Sequence, residues 1–116
     1  LNITVADLNP EHAQKLIKGH PNATTIKLDI FDAPSRKEAI QKASLVVSMI
    51  PAHLHLEIAK DCLQFGKHMV TASYVSPDMQ KLDSEATSKK LVFMNEIGVD
   101  PGIDHMSAMK VIDEIR

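Results

Sequence analysis

The stretch "IGVDPGIDHM", residues 97–106, places two acids and a histidine next to a Pro-Gly step, directly after an apolar run. Carboxylates and imidazoles of this kind move protons to and from a reacting group. A structural interpretation competes with the catalytic one. Asp100 before Pro101 predicts a helix N-cap worth about 1 kcal/mol, and Asp104 in the first turn is stabilised by the helix dipole. The spacing alone leaves both interpretations open.

A second polar cluster, "TASYVSP", follows another apolar run and places the hydroxyls of Thr71, Ser73 and Tyr74 at a predicted strand end. Tyr74 could orient a substrate or donate a proton, and its alternative is an amphipathic surface residue. Ligands of doubly wound sheets bind at the carboxyl ends of the strands. We therefore expect Thr71, Ala72 and Ser73 to contact a cofactor. We expect the same of "SMIP", residues 48–51, namely Ser48, Met49, Ile50 and Pro51, whose alternative is a proline-terminated strand that leads into a helix.

Asp7 ends the first apolar run, in "TVADLNPEH". A carboxylate at the end of the second strand of a dinucleotide-binding fold can accept both hydroxyls of the adenine ribose, whereas it repels a 2′-phosphate. Asp7 therefore favours NAD over NADP, unless it is only a solvated turn acid. The glycine-rich phosphate loop of such folds lies roughly 20 residues upstream of that acid. None of the four glycines forms such a loop, so we expect the first strand and its loop to precede Leu1.

These residues are carried by alternating elements. β-branched runs predict strands at residues 2–7, 24–31, 44–50, 67–72 and 90–95. Between and after these runs, apolar residues recur at helical spacing and predict five helix faces. The faces are Ala13, Leu16 and Ile17; Ala39, Ile40 and Ala43; Leu54, Ile58, Cys62 and Phe65; Met79, Leu82 and Ala86; Ile103, Met106, Met109 and Ile112. Strand and helix in alternation predict an α/β, doubly wound, mostly parallel sheet of the Rossmann type, in one partial dinucleotide-binding domain over residues 1–116.

The composition of the chain argues against several classes of function. The chain has 116 residues, 44% hydrophobic and 24% charged, with a formal charge of −2. Nothing in it attracts nucleic acid, and no apolar run is long enough to span a membrane. One cysteine and no signal peptide indicate a reducing, cytoplasmic setting. His53 and His55 lack metal-ligand spacing and look ordinary, so no metal site is expected.

Three segments resemble one family. "VVSMIPAHLHLEIAKDCL", "KHMVTASYVSPDM" and "MNEIGVDPGIDHMSAMKVIDEI" are similar to the glutamate-forming saccharopine dehydrogenases, also called saccharopine reductases, and to the matching half of the bifunctional lysine-degrading enzymes. The runs "VTASY" and "GVDPGIDHM" are the most specific parts of the likeness. The region "HPNATTIKLDIFDAPSRKEAIQKA" is generic.

The resemblance implies an NAD(P)-dependent oxidoreductase of lysine metabolism that oxidises saccharopine to glutamate and 2-aminoadipate 6-semialdehyde. It implies catalytic roles for Tyr74 and Asp100, with Asp104 and His105 in the wall that binds the amino-acid substrate. The family's second domain is not in this sequence, so these 116 residues are not expected to turn over alone. Two alternatives stay open: a non-catalytic nucleotide-binding or dimerisation module, and a paralogue acting on another secondary amine. Exposed sheet edges also favour a homo-oligomer.

Overall fold

The computed structural model describes every residue from Leu1 to Arg116, and these divide into two compact units, residues 1–39 and 40–116. Helices alternate with strands in both units, and every strand pair is parallel. This confirms the predicted α/β class. No helix is long and apolar enough to cross a membrane, the longest having 13 residues.

The first unit is a strand–helix–strand crossover, in which strand β1 pairs with strand β2 from Ile3 opposite Ala23 to Asp7 opposite Lys27. Asn9 caps the intervening helix by accepting from the backbone N–H of His12 at 3.3 Å. The elements that begin in this unit are β1 (Ile3–Asp7), α1 (Pro10–Ile17), β2 (Ala23–Lys27) and α2 (Ala33–Lys42), and the boundary between the units falls inside α2.

The second strand is shorter than the predicted residues 24–31 because the chain turns after Lys27. The Asp29 side chain accepts from the backbone N–H of Phe31 at 2.9 Å, and its carbonyl accepts from the N–H of Asp32 at 3.0 Å. These bonds replace the strand pairing that the apolar residues Ile30 and Phe31 suggested.

The second unit contains a three-stranded parallel sheet in the order β3-β4-β5. Its register places Ser48 opposite Thr71 and Val70 opposite Met94. The elements are β3 (Leu45–Ser48), a 3-10 turn (Ala52–Leu54), α3 (His55–Phe65), β4 (His68–Thr71), α4 (Pro77–Gln80), α5 (Asp83–Ser88), β5 (Phe93–Met94) and α6 (Ile103–Ile115). The buried apolar side chains of these elements are Ile58, Ala59, Cys62, Leu63, Met69, Met79 and Ala86.

Two elements of this unit depart from the sequence prediction. The fifth strand has two paired residues instead of the predicted 90–95, since it follows Lys90 in the left-handed region with φ of 58°. The fourth helix is interrupted, because the N–H of Leu82 bonds to the carbonyl of Met79, which closes a tight turn between α4 and α5.

Helix α6 forms as predicted, but its predicted apolar face is exposed. Ile103, Met106, Met109 and Ile112 are all at least 42% exposed, and no residue of α6 is buried. Periodicity predicts that a helix is amphipathic, whereas burial also requires a surface to pack against it.

Candidate active site

The phenol of Tyr74 donates a hydrogen bond to Oδ1 of Asp100 at 2.9 Å. Tyr74 follows strand β4 and Asp100 follows its neighbour β5. Because the two strands are parallel, both residues lie at the same edge of the sheet. Both side chains are exposed. The structure thus brings together the two residues predicted to be catalytic, at the strand ends where ligands of such sheets bind.

Backbone bonds hold the segments that carry these residues side by side. The N–H of Glu96 donates to the carbonyl of Ser73 at 3.0 Å, and the N–H of Ile97 donates to that of Thr71 at 3.4 Å. The two segments therefore stay paired beyond the short strand β5.

The prediction that Asp100 caps helix α6 is wrong. Gly102 occupies the N-cap position, and the Asp100–Pro101 peptide bond, which is cis, lies before the helix. The carbonyls of Gly98 and Val99 each accept at 2.9 Å from the first N–H groups of the helix, those of Ile103 and Asp104. Because the loop satisfies these donors, the carboxylate of Asp100 is left to bind Tyr74.

Asp104 and His105 complete the cluster on the first turn of α6. Oδ1 of Asp104 accepts from the N–H of His105 at 2.8 Å and from that of Gly102 at 3.1 Å. It also lies 2.9 Å from Nδ1 of His105. The His105 ring meets the ring of Tyr74 edge-on, with centroids 6.3 Å apart. The two residues predicted to bind substrate thus adjoin the two predicted to be catalytic.

Two glycines make this loop possible. Gly102 has φ of 142°, and a Cβ there would overlap the backbone of Gly98. A Cβ on Gly98 would in turn lie 3.0 Å from that of Ala72. Gly98 therefore lets the loop that carries Asp100 pack closely on Ala72, and a side chain at position 102 would force Gly98 and Gly102 apart.

The electrostatics of the cluster keep the phenol protonated. The hydrogen bond to Asp100 raises the pKa of Tyr74, and the nearby charges of Asp100, Asp104 and Glu96 add to the effect. Partial desolvation alone would raise the pKa of Asp104, but hydrogen bonds from the backbone N–H groups of His105 and Gly102 lower it below its usual value. At neutral pH the site therefore offers the phenolic donor of Tyr74 near the ionised carboxylate of Asp104.

Ligand atoms of Asp100, Asp104 and His105 lie within 4.8 Å of one another. All three side chains are exposed, and each already has a hydrogen-bonding partner in the cluster. We assign no metal to them.

The residues predicted to contact a cofactor divide into two groups. Ser48 and Thr71 are buried, and their hydroxyls bind the imidazole of His55. Any cofactor contact of these two residues would use their backbone. The others are exposed or half-buried beyond the ends of β3 and β4: Met49, Ile50, Pro51, Ala72 and Ser73.

Asp7 ends β1, as predicted, and its carboxylate accepts from the backbone N–H of Asn9 at 2.7 Å. This is the contact of a turn acid, the structural interpretation that the sequence had left open. One carboxylate oxygen is therefore engaged by the chain itself.

Sequence reasoning missed His55, which it treated as ordinary. His55 is 3% exposed and contacts three hydroxyls, those of Ser48, Thr71 and Ser73. The available signal was a histidine at a helix start shortly after a strand that ends in serine.

Parallel strands with polar side chains at their carboxyl ends are typical of the class of nucleotide-binding α/β domains. Comparison with known proteins is more specific. The family model described as the saccharopine dehydrogenase NADP binding domain matches residues 1–94. The chain belongs to this family.

Named relatives agree with this assignment. The chain is 42% identical over 115 residues to saccharopine dehydrogenase (NADP(+), L-glutamate-forming) of Schizosaccharomyces pombe, covering 99% of this chain and 26% of that protein. It is 36% identical over 114 residues to alpha-aminoadipic semialdehyde synthase of Arabidopsis thaliana, covering 98% of this chain and 11% of that protein. The chain thus spans about a quarter or less of these relatives' lengths.

A solved structure supports the fold. Apo saccharopine dehydrogenase (L-Glu forming) from Saccharomyces cerevisiae superposes with a TM-score of 0.86 and 37% identity, over 97% of this chain and 25% of that one. The family model and the S. pombe relative are named for NADP, so the NAD preference inferred from Asp7 finds no support.

Proposed function

We propose that this chain is the cofactor-binding part of a longer NADP-dependent saccharopine dehydrogenase, and that both of its compact units belong to one cofactor domain. The family match supports the proposal because it runs through both units, over residues 1–94. The catalytic part of the proposal rests on the hydrogen bond from Tyr74 to Asp100 at the sheet edge.

The exposed segments after β3 and β4 fit a dinucleotide. Met49 is 87% exposed, and Ala72 and Ser73 follow the neighbouring strand with small side chains. Apolar and small side chains beside free strand ends suit a flat aromatic ring and backbone hydrogen bonding. When bound there, the nicotinamide would accept the hydride that leaves C6 of the lysine-derived half of saccharopine, the carbon that becomes the aldehyde.

Loss of that hydride leaves a protonated imine between this carbon and the nitrogen, and water must then add to the carbon with loss of one proton. In our proposal the Asp100 carboxylate accepts a proton from the attacking water or from the nitrogen, because it is the acceptor of the pair. The single O–H of the Tyr74 phenol donates to that carboxylate and holds it in place. Collapse of the carbinolamine breaks the C–N bond and yields glutamate and the semialdehyde.

Asp104 and His105 form the adjoining wall, where we propose that they bind the polar groups of the amino-acid substrate. Their side chains are 41% and 60% exposed. His105 can donate to a substrate carboxylate, while Asp104 is engaged with the backbone and mainly orients His105.

The test is an assay of the full-length protein that carries this chain, with saccharopine and NADP⁺, following NADPH absorbance and glutamate release. We expect one glutamate for each NADPH formed. A paralogue would instead oxidise a different secondary amine. A non-catalytic module would bind nucleotide and reduce none of it with any secondary amine offered.

A further inference from the structure

His55 connects the ends of two strands through its ring. Its Nδ1 lies 2.7 Å from Oγ of Ser48, at the end of β3. Its Nε2 lies 3.1 Å from Oγ1 of Thr71, which ends β4, and 2.8 Å from Oγ of Ser73, which follows β4. The ring is 3% exposed, so every polar contact it makes is with the protein.

The segment from Thr71 to Ser73 is held from two sides. His55 binds its side chains, while the loop leading to Asp100 binds its carbonyls through the N–H groups of Glu96 and Ile97. Tyr74 follows this segment directly. Its backbone position, and hence the reach of its phenol, depends on where the segment lies.

We propose that His55 is a positioning residue, whose Nε2 fixes Ser73 and thereby sets the distance at which Tyr74 meets Asp100. The inference rests on the proposed function in taking the Tyr74–Asp100 pair as the reacting pair. It adds to that function a buried residue that touches neither substrate nor cofactor.

The chemistry of the ring suits this role. Burial lowers the pKa of His55 below its usual value, so at neutral pH the ring is uncharged, with one N–H donor and one acceptor nitrogen. Hydroxyls can serve as donors or acceptors, so all three neighbours can be satisfied by the neutral ring. A residue that only filled space would not need both nitrogens.

Two amide variants separate the two sides of the ring. In His55→Asn the side-chain amide can reach Ser48 but not Ser73, because it places its polar atoms near Nδ1. In His55→Gln the longer side chain places a polar atom near Nε2 and can keep the bond to Ser73. His53→Asn is the matched control, since His53 is exposed two residues away in the chain.

The readout is the titration of Tyr74, followed by tyrosinate absorbance in the 116-residue chain, which has one tyrosine and no tryptophan. We expect His55→Asn to lose most of the upward shift of the tyrosine midpoint, while His55→Gln and His53→Asn keep it. Circular dichroism checks that each variant is folded. A folded His55→Asn with the wild-type titration would overturn the proposal.

If His55→Asn does not fold, Ser73→Ala decides the question, because it removes the same bond from the other end. An unchanged titration in Ser73→Ala would also overturn the proposal. In the full-length enzyme, we expect His55→Asn to lower kcat on the order of tenfold to hundredfold, with KM nearly unchanged. The titration needs neither cofactor nor substrate, so a shifted midpoint in a protein inactive on saccharopine would refute the proposed function and leave the positioning role intact.

Discussion

The phenol of Tyr74 and the carboxylate of Asp100 are joined by a 2.9 Å hydrogen bond although 26 positions separate them in the chain. Each residue follows one strand of the parallel pair β4 and β5, and the loop between Glu96 and Gly102 is closed by its own backbone bonds. The contact is therefore a product of topology, and the chemistry proposed here depends on it.

The first prediction concerns the titration of Tyr74. Because Asp100 accepts a hydrogen bond from the phenol and carries negative charge, it stabilises the neutral phenol and raises the pKa of Tyr74 above its usual value. Asp100→Asn removes the charge, so tyrosinate should form at lower pH than in the wild type. Absorbance near the tyrosinate band measures this in the 116-residue chain. Asp113→Asn, on helix α6, controls for net charge. Equal midpoints in the wild type and Asp100→Asn would mean that the charge of Asp100 does not act on the phenol in solution.

Gly102 provides a test of the loop. Gly102→Ala should lower the free energy of unfolding by about 3 kcal/mol or more, because a Cβ there overlaps the backbone of Gly98. Gly66→Ala is the matched control, since Gly66 also has positive φ but no atom within 4 Å of its Cβ position. That control should cost only ~1 kcal/mol. Urea unfolding followed by circular dichroism compares them, and equal losses would contradict the described packing of the loop.

Cys62 reports on the core of the second unit. Burial raises the pKa of its thiol to about 12, and the adjacent Asp61 carboxylate adds to the effect. Thiolate is the reactive form, so labelling by a disulfide reagent at pH near 8 should be slower than in the unfolded chain by on the order of 10³-fold. Rates measured with and without concentrated guanidinium test this. Comparable rates would show that α3 does not bury its sulfur.

Asp7 can be tested as a determinant of cofactor choice. If Asp7 also faces the adenine ribose, its carboxylate repels a 2′-phosphate, and Asp7→Asn should raise the ratio of kcat/KM for NADP⁺ to that for NAD⁺ in the full-length enzyme. The asparagine oxygen can keep the bond from the N–H of Asn9. Asp113→Asn again controls for charge. A ratio that does not change would place Asp7 away from the adenine ribose and leave it the turn acid that the structure describes.

Local sequence patterns predicted the elements better than their contacts. All five predicted strand runs form strands, although the second and fifth are shorter than predicted. Asn9 and Ser76, each followed by a proline, cap helices α1 and α4. The Asp100-Pro101 pair has the same local pattern as those caps. Its role differs because the carbonyls of Gly98 and Val99 occupy the helix donors, a long-range feature of the loop that a local pattern does not contain.

His55 and helix α6 are two further cases in which the sequence pattern did not predict tertiary contacts. The importance of His55 arises from the β3–β4 register, which sets Ser48 beside Thr71 around one ring. The apolar spacing of α6 predicted a helix but not the exposure of Met106 and Ile112. Self-association of the chain stays a prediction, to be measured by its hydrodynamic size.

The most direct test of the account is a double-mutant cycle on kcat in the full-length enzyme, with saccharopine and NADP⁺, using Tyr74→Phe, Asp100→Asn and the double variant. We predict that each single change lowers kcat by about 10²- to 10⁴-fold, and that the double variant is little worse than Asp100→Asn, because the two groups act as a unit. If folded Asp100→Asn retained wild-type kcat, the pair at the sheet edge would take no part in the chemistry and the account would be wrong.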